Sequence, residues 1–195
     1  MRLLLIADSH GRGMASVIHS VDKEWEVMTV RVSGQTEDVR AWYVDKLPEI
    51  RLFNPETVLL HVGHNNLSYH SYHNPDPEHV KEFFPSVLDF VALIQGNHPS
   101  ARVFYSSVFP RSTGPLMTDG ERHSYNKVAS RYGCLTQSTC KQNGISFVLN
   151  GALWVSVRKA RENSDYFLRD GLHLTKAGQE IVARDWLQAI SSVML

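Results

Sequence analysis

The stretch Leu3-Leu4-Leu5-Ile6-Ala7-Asp8-Ser9-His10-Gly11-Arg12-Gly13-Met14 decides how the rest of the chain is read. A short apolar run broken by Asp-Ser-His-Gly is a buried strand that stops in a polar turn. Met14, Val17, Ile18 and Val21 then recur at helical spacing, so the turn leads straight into a helix that packs back on the strand. Ser9 stands at the strand's carboxyl tip, where open α/β sheets bind their ligands. Taken alone, Ser9 fits a helix cap as well as a nucleophile.

The strand-helix alternation continues along the chain. Glu26 to Val32 alternates as a strand and ends at Ser33-Gly34, and Thr36 caps a helix with Val39, Trp42, Tyr43 and Leu47 that Pro48 stops. Thr57 to Val62 is almost continuously apolar, as a strand covered on both faces requires, and runs into Gly63-His64-Asn65-Asn66. A loop to Pro77 precedes an amphipathic helix closed near Gly96. Strands at Arg102 to Val108 and Ile145 to Leu149 flank a helix opened by Asp119, with Tyr125, Val128, Ala129, Tyr132 and Leu135 inward. Asn150 to Arg169 has no clear period, and Thr175 opens a last helix. Five strands separated by helices imply parallel crossovers and a three-layer α/β/α sandwich.

The 195 residues suit one domain, spanning 1–195. Lys plus Arg equals Asp plus Glu at 20 each, so the chain lacks the basic field that nucleic-acid binding demands. No apolar run reaches membrane-spanning length, and the first strand is too short for a signal peptide. Cys134 and Cys140 form no CxxC pair, which points to reduced thiols in a cytoplasmic compartment. Ten histidines are the one unusual count. His61, His64, His70 and His73 alternate between a strand end and a loop, a poor match to the convergent geometry of zinc, so neither metal nor cofactor is expected.

Each crossover starts at a strand's carboxyl end, and the residues there suit acyl transfer. Ser9 is the candidate nucleophile. His173 is the candidate base, since histidine's ordinary pKa of about 6.5 fits work near neutrality. Asp170, three residues earlier, can hold the far ring nitrogen and fix the tautomer. Oxyanion donors are available in the backbone N–H groups of Ser9 and Gly34 and the side-chain amide of Asn65. His64, Asn66 and Tyr69 are expected to line the crevice. Separately, Gly34, Asn65 and His173 also fit ordinary turn and capping roles.

Together, Ala7-Asp8-Ser9, Gly34, Gly63-His64-Asn65-Asn66 and Asp170-Gly171-Leu172-His173 resemble the four sequence blocks of the SGNH, or GDSL-type, hydrolase superfamily. The resemblance spans essentially the whole chain. It departs from the family at Ala7, usually glycine, and at Asn66, usually aspartate. It implies a flavodoxin-like five-stranded sheet in the order 2-1-3-4-5, metal-free ester hydrolysis, and Ser9, Gly34, Asn65 and His173 as the four name-giving residues.

Within that superfamily, Val103 to Arg111, Tyr125-Asn126-Lys127-Val128 and Asp170 to Leu174 are most similar to the esterase domain of the first-reading-frame protein of LINE-type, non-LTR retrotransposons. This narrower resemblance implies a module of a larger chain, with a short acyl ester or a lipid as small-molecule substrate and RNA binding delegated elsewhere. Arg158, Lys159, Arg161 and Arg169 suggest transient contact with an anionic membrane surface. A scaffold that kept the fold and lost the chemistry, and a carbohydrate deacetylase, are the alternatives.

Overall fold

The computed structural model describes residues 1–71, 77–115, 118–159 and 165–194, the side chains of 68–71, 77–83, 158–159 and 194 excepted. Strands β1 (Arg2–Ala7), β2 (Glu26–Arg31), β3 (Thr57–His61), β4 (Arg102–Ser106) and β5 (Ser146–Val148) form one sheet. Its order is β2-β1-β3-β4-β5, and every neighbouring pair is parallel. Both the order and the layering are those expected from the sequence.

Helices α1 (Met14–Val21), α7 (Gly151–Lys159) and α8 (Lys176–Met194) cover one face. The other carries α2 (Thr36–Asp45), α3 (Leu47–Phe53), α4 (His64–Ser71), α5 (Pro77–Asn97) and α6 (Asp119–Gln142). The pleat of β1 serves both layers. Leu4 and Ile6 join the core with α2, α5 and α6, while Leu3, Leu5 and Ala7 join the core with α1 and α8. All five are fully buried, and each of the larger aliphatic side chains so buried contributes about 1.5–3 kcal/mol. This two-sided burial explains the unbroken apolar run that opens the chain.

Several boundaries differ from the sequence reading, each for a local reason. Gln35, not Thr36, caps α2, in a capping box with Asp38. Pro48 does not end a helix but sits in the first turn of α3, where a missing N–H costs nothing. The segment after β3, read as a turn and loop, enters helix α4 at His64. Helix α6 opens at Asp119 as read, with Thr118 as its cap, but a helix, α7, occupies part of the stretch with no clear period. On α6 the inward positions continue through Thr136 and Cys140 rather than Leu135, which is exposed. No described helix is long and apolar enough to cross a membrane.

Because β1 connects to β2 on one side and pairs with β3 on the other, chain direction across the sheet reverses between β1 and β3. The two crossovers leave in opposite directions and open a crevice at the carboxyl ends of these strands. Ser9 follows β1 and Asn65 follows β3, so both stand at that crevice.

Candidate active site

Asp8 directly follows β1, and its side chain accepts the backbone N–H of His10 at 3.1 Å, closing a single 3₁₀ turn over Ser9–Gly11. A Cβ on Gly11 would lie 2.5 Å from the Cβ of Ala7. The turn therefore has room for the methyl of Ala7 because Gly11 carries none. Ser9 is partly exposed at the head of this turn.

Asp170 and His173 come from a loop closed at its base by a bridge between Phe167 and Leu174. The Leu168 N–H donates to the His173 carbonyl at 2.7 Å, and that of Gly171 to the Leu168 carbonyl at 2.8 Å. Gly171 has φ +69°, and a Cβ there would come within 2.6 Å of the Ser112 carbonyl, so only glycine fits. One carboxylate oxygen of Asp170 accepts the backbone N–H groups of Leu172 (2.8 Å) and His173 (2.9 Å). The other faces His173 Nδ1 at 2.8 Å. Burial alone would raise the Asp170 pKa, but these three hydrogen bonds outweigh it and hold the carboxyl below its usual range. The bond fixes the His173 tautomer with its proton on Nδ1, leaving Nε2 as the basic nitrogen. The His173 ring stacks 5.4 Å from that of His10, the residue next to Ser9.

Asn65 Nδ2 donates to the Gly34 carbonyl at 2.5 Å, joining the ends of β2 and β3. An amide nitrogen has two protons; the bond to Gly34 sets its orientation and leaves the second for a ligand. For the ester hydrolysis expected from the sequence, Asn65→Ala should lower kcat by roughly 10²–10³, the usual cost of an oxyanion donor. An unchanged kcat in folded protein would remove Asn65 from that role.

The other expected crevice residues are placed differently. Asn66 is buried, and its Oδ1 accepts both the N–H (3.0 Å) and the hydroxyl (2.9 Å) of Thr36. It ties the start of α4 to the start of α2, a task for one acceptor oxygen that asparagine performs without burying a charge. His64 is also buried, with both ring nitrogens engaged. Nε2 accepts the N–H of Phe109 at 2.7 Å, so Nδ1 carries the proton and donates to Asp8 at 3.2 Å. Both lie beneath the crevice rather than on its wall, because each satisfies backbone or carboxylate groups that burial would otherwise leave unpaired. The side chains of Tyr69 and His70, and all of His73, lie outside the described residues.

What the sequence reading missed is the cluster under Ser9. Asp8 takes His10 Nδ1 at 3.0 Å on one oxygen and His64 Nδ1 on the other. The His10 and His64 rings stack at 3.9 Å. His61 packs against His64 and bonds Ser106 at 3.1 Å, and Ser106 continues the network to Asn150 and Trp186. Burial would raise the Asp8 carboxyl, but the two facing imidazoles hold it well below its usual range. Burial and the neighbouring His10 pull His64 down to about 4, against the attraction of Asp8. Burial and His64 likewise hold His61 well below the ordinary histidine value. The only signals in sequence were the high histidine count and the Asp-x-His spacing across Ser9.

Among the described residues, the Asp8, His10 and His64 ligand atoms come within 4.8 Å of one another, close enough to consider a metal. The hydrogen bond from Phe109 decides against it. With Nε2 accepting, His64 Nδ1 must keep its proton and has no lone pair for an ion. The cluster fits a hydrogen-bonded carboxylate better than a ligand set.

Neither a protein-family model nor a curated protein matches this chain. Solved structures do. A catalytic mutant of an acetylxylan esterase from Geobacillus stearothermophilus superposes with a TM-score of 0.70 at 19% identity, over 97% of this chain and 93% of that one. A GDSL-like lipase from Bacteroides thetaiotaomicron gives 0.66 at 18%, over 98% and 88%. An acetyl xylan esterase gives 0.65 at 17%, over 97% and 100%. The fold is that of the SGNH hydrolases. In this SGNH fold the chain's own Ser9, Gly34 and Asn65 fall at the carboxyl ends of β1, β2 and β3, and His173 precedes α8.

Proposed function

We propose that the chain is a serine esterase acting on carboxylic esters. Ser9 Oγ attacks the ester carbonyl while His173 Nε2 takes its proton, and Asp170 stabilises the imidazolium that forms. The Ser9 and Gly34 N–H groups and the Asn65 amide receive the oxyanion. Collapse of the intermediate breaks the bond to the alkoxy oxygen, which leaves with the proton from His173. Water, deprotonated by the same nitrogen, then attacks the acyl-enzyme, releasing the acid and regenerating Ser9.

The observation that carries this reading is the 2.8 Å Asp170–His173 pair, stacked on the neighbour of Ser9 at the sheet's switch point. The similar folds add support: the acetylxylan esterase from Geobacillus stearothermophilus has catalytic mutants at a serine and at an aspartate. Those neighbours also suggest the substrate range, from acetyl esters of carbohydrate to lipid esters.

We carry the retrotransposon resemblance as part of the proposal, with the chain as one module of a larger protein. The three stretches that carry it lie together in this structure. The Arg111 guanidinium lies 4.1 Å over the Tyr125 ring, Asn126 brackets the Arg111 backbone with bonds of 2.7 and 2.8 Å, and the Ser112 N–H reaches the Gly171 carbonyl at 2.9 Å.

The test is hydrolysis of nitrophenyl esters from acetyl to long acyl by wild type and Ser9→Ala. Activity that vanishes with Ser9 is expected, and its chain-length preference selects the acyl class. Folded wild-type protein inert towards every ester would turn the reading to a binding scaffold. Turnover is also expected to persist in EDTA; loss on chelation with recovery on zinc would return attention to the buried histidines.

A further inference from the structure

Away from Ser9, the seam between α6 and α7 holds two cavities placed end to end. The first, about 550 Å³, is walled by Arg122, Lys127, Arg131 and His123 of α6 and by Trp154 and Val157 of α7. None of the described residues lining it is acidic. Lys127 and Arg131 are exposed, and Arg122 is engaged at 3.4 Å by Asp119 on its outer side. Among the described residues its Nε is buried with no hydrogen-bond partner, a charged donor that is costly to leave unmade.

The second cavity, about 310 Å³, shares Ser130 and Trp154 with the first. Its character is different: Val108, Ala129, Leu149 and Val155 contribute to its lining. Leu149 is 57% exposed and Val155 49%, so two large aliphatic side chains stand in solvent beside it. A basic chamber that shares its indole wall with an apolar one matches a single ligand with a negative head and a hydrocarbon tail. Arginine and lysine bind carboxylate or phosphate oxygens, and the exposed aliphatic lining covers itself on a tail.

We propose that this seam binds a monomeric anionic amphiphile, an alkyl carboxylate or alkyl phosphate, with its head among Arg122, Lys127 and Arg131 and its tail between Trp154 and Leu149. The site is separate from the ester chemistry and needs no turnover to be seen. It also has a route to the candidate active site, since Asn126, on the wall of the first cavity, brackets Arg111 in the loop that meets Gly171.

The test uses the intact chain, dodecanoate below its micellar concentration, and 11-bromoundecanoate as a tryptophan quencher. Saturable one-to-one binding by calorimetry is expected, weakened at least tenfold in Lys127→Gln/Arg131→Gln and weakened by added salt. Quenching is expected to be largely lost in Trp154→Phe. Val155→Asp is expected to weaken dodecanoate while sparing the fold, since its side chain is exposed. Absence of saturable binding, or binding that the double variant leaves intact, overturns the proposal. Sedimentation with phosphatidylserine vesicles in the absence of dodecanoate binding would replace the enclosed site with a membrane-facing patch and overturn it equally. Because calorimetry reads binding without hydrolysis, a chain that cleaves no ester still shows whether the seam takes up the amphiphile.

Discussion

Ser9→Ala and His173→Ala are each expected to lower kcat for ester hydrolysis by on the order of 10⁶, with little change in folding. The size follows from the proposed roles, in which the hydroxyl forms the acyl-enzyme and the imidazole takes its proton. Asp170→Asn is expected to cost about 10⁴, less than either, because the base remains while its tautomer is lost. The geometry of Asp170 makes the latter variant informative. One of its oxygens holds two backbone N–H groups and the other the imidazole, so asparagine can keep the loop closed while changing only what faces Nδ1. Steady-state kinetics on a nitrophenyl ester decide the matter. Near-wild-type turnover in Ser9→Ala or His173→Ala would end the assignment.

The second large effect is on stability. Asp8→Ala would strip the acceptor from three buried donors at once: the His10 N–H, His10 Nδ1 and His64 Nδ1. A buried donor left without its acceptor costs about 1–3 kcal/mol, so losing the acceptor of all three removes a large share of a typical domain's total stability. A urea midpoint lowered to match is expected, and a loss below about 1 kcal/mol would mean the cluster is not coupled as described. The same cluster makes the fold acid-sensitive. His64 is neutral in the folded state down to about pH 4, whereas the unfolded chain takes up that proton below about 6.5. Stability is therefore complete above that value and falls as the pH drops from about 6.5 to 4, by about 3 kcal/mol in all. His61, lowered for the same reason, adds in the same direction. Asp8 works lower, its contribution present above the ordinary carboxylate pKa and lost as acid reaches its depressed value. Thermal melts should fall between about pH 6 and 5, before most carboxylates titrate; a flat profile there would contradict the arrangement.

How far the sequence carried this reading varied with the kind of residue. Strands β1 and β3 were legible because burial on both faces leaves an unbroken apolar run, and their polar ends exposed Ser9 and Asn65. Asp170 and His173 were legible because their contact is local, three residues apart within one turn. Asn66 and His64 were misplaced because their partners, Thr36, Asp8 and Phe109, are distant in sequence, and polarity alone does not say whether a side chain faces water or a buried acceptor. Helices α4 and α7 were missed because their sequences carry little periodic signal: α4 is rich in histidine, asparagine and serine, and α7 packs only part of its length. Pro48 illustrates a different ambiguity, since proline ends one helix and starts another by the same missing N–H.

The side chain of Gln179 on α8 donates to the Arg12 carbonyl beside α1, across a separation of 167 residues, and the two helices pack together on one face. The turn and the loop proposed to carry nucleophile and base are thus seated on segments far apart in the polypeptide. During translation β1 leaves the ribosome long before α8 exists, so Ser9 emerges before His173, its proposed base. On the proposed mechanism the hydroxyl is activated only once α8 has docked, so turnover would report that this unit has folded. Separately expressed fragments, one carrying Ser9 and the other His173, would each be silent, and any turnover on mixing them would measure their docking.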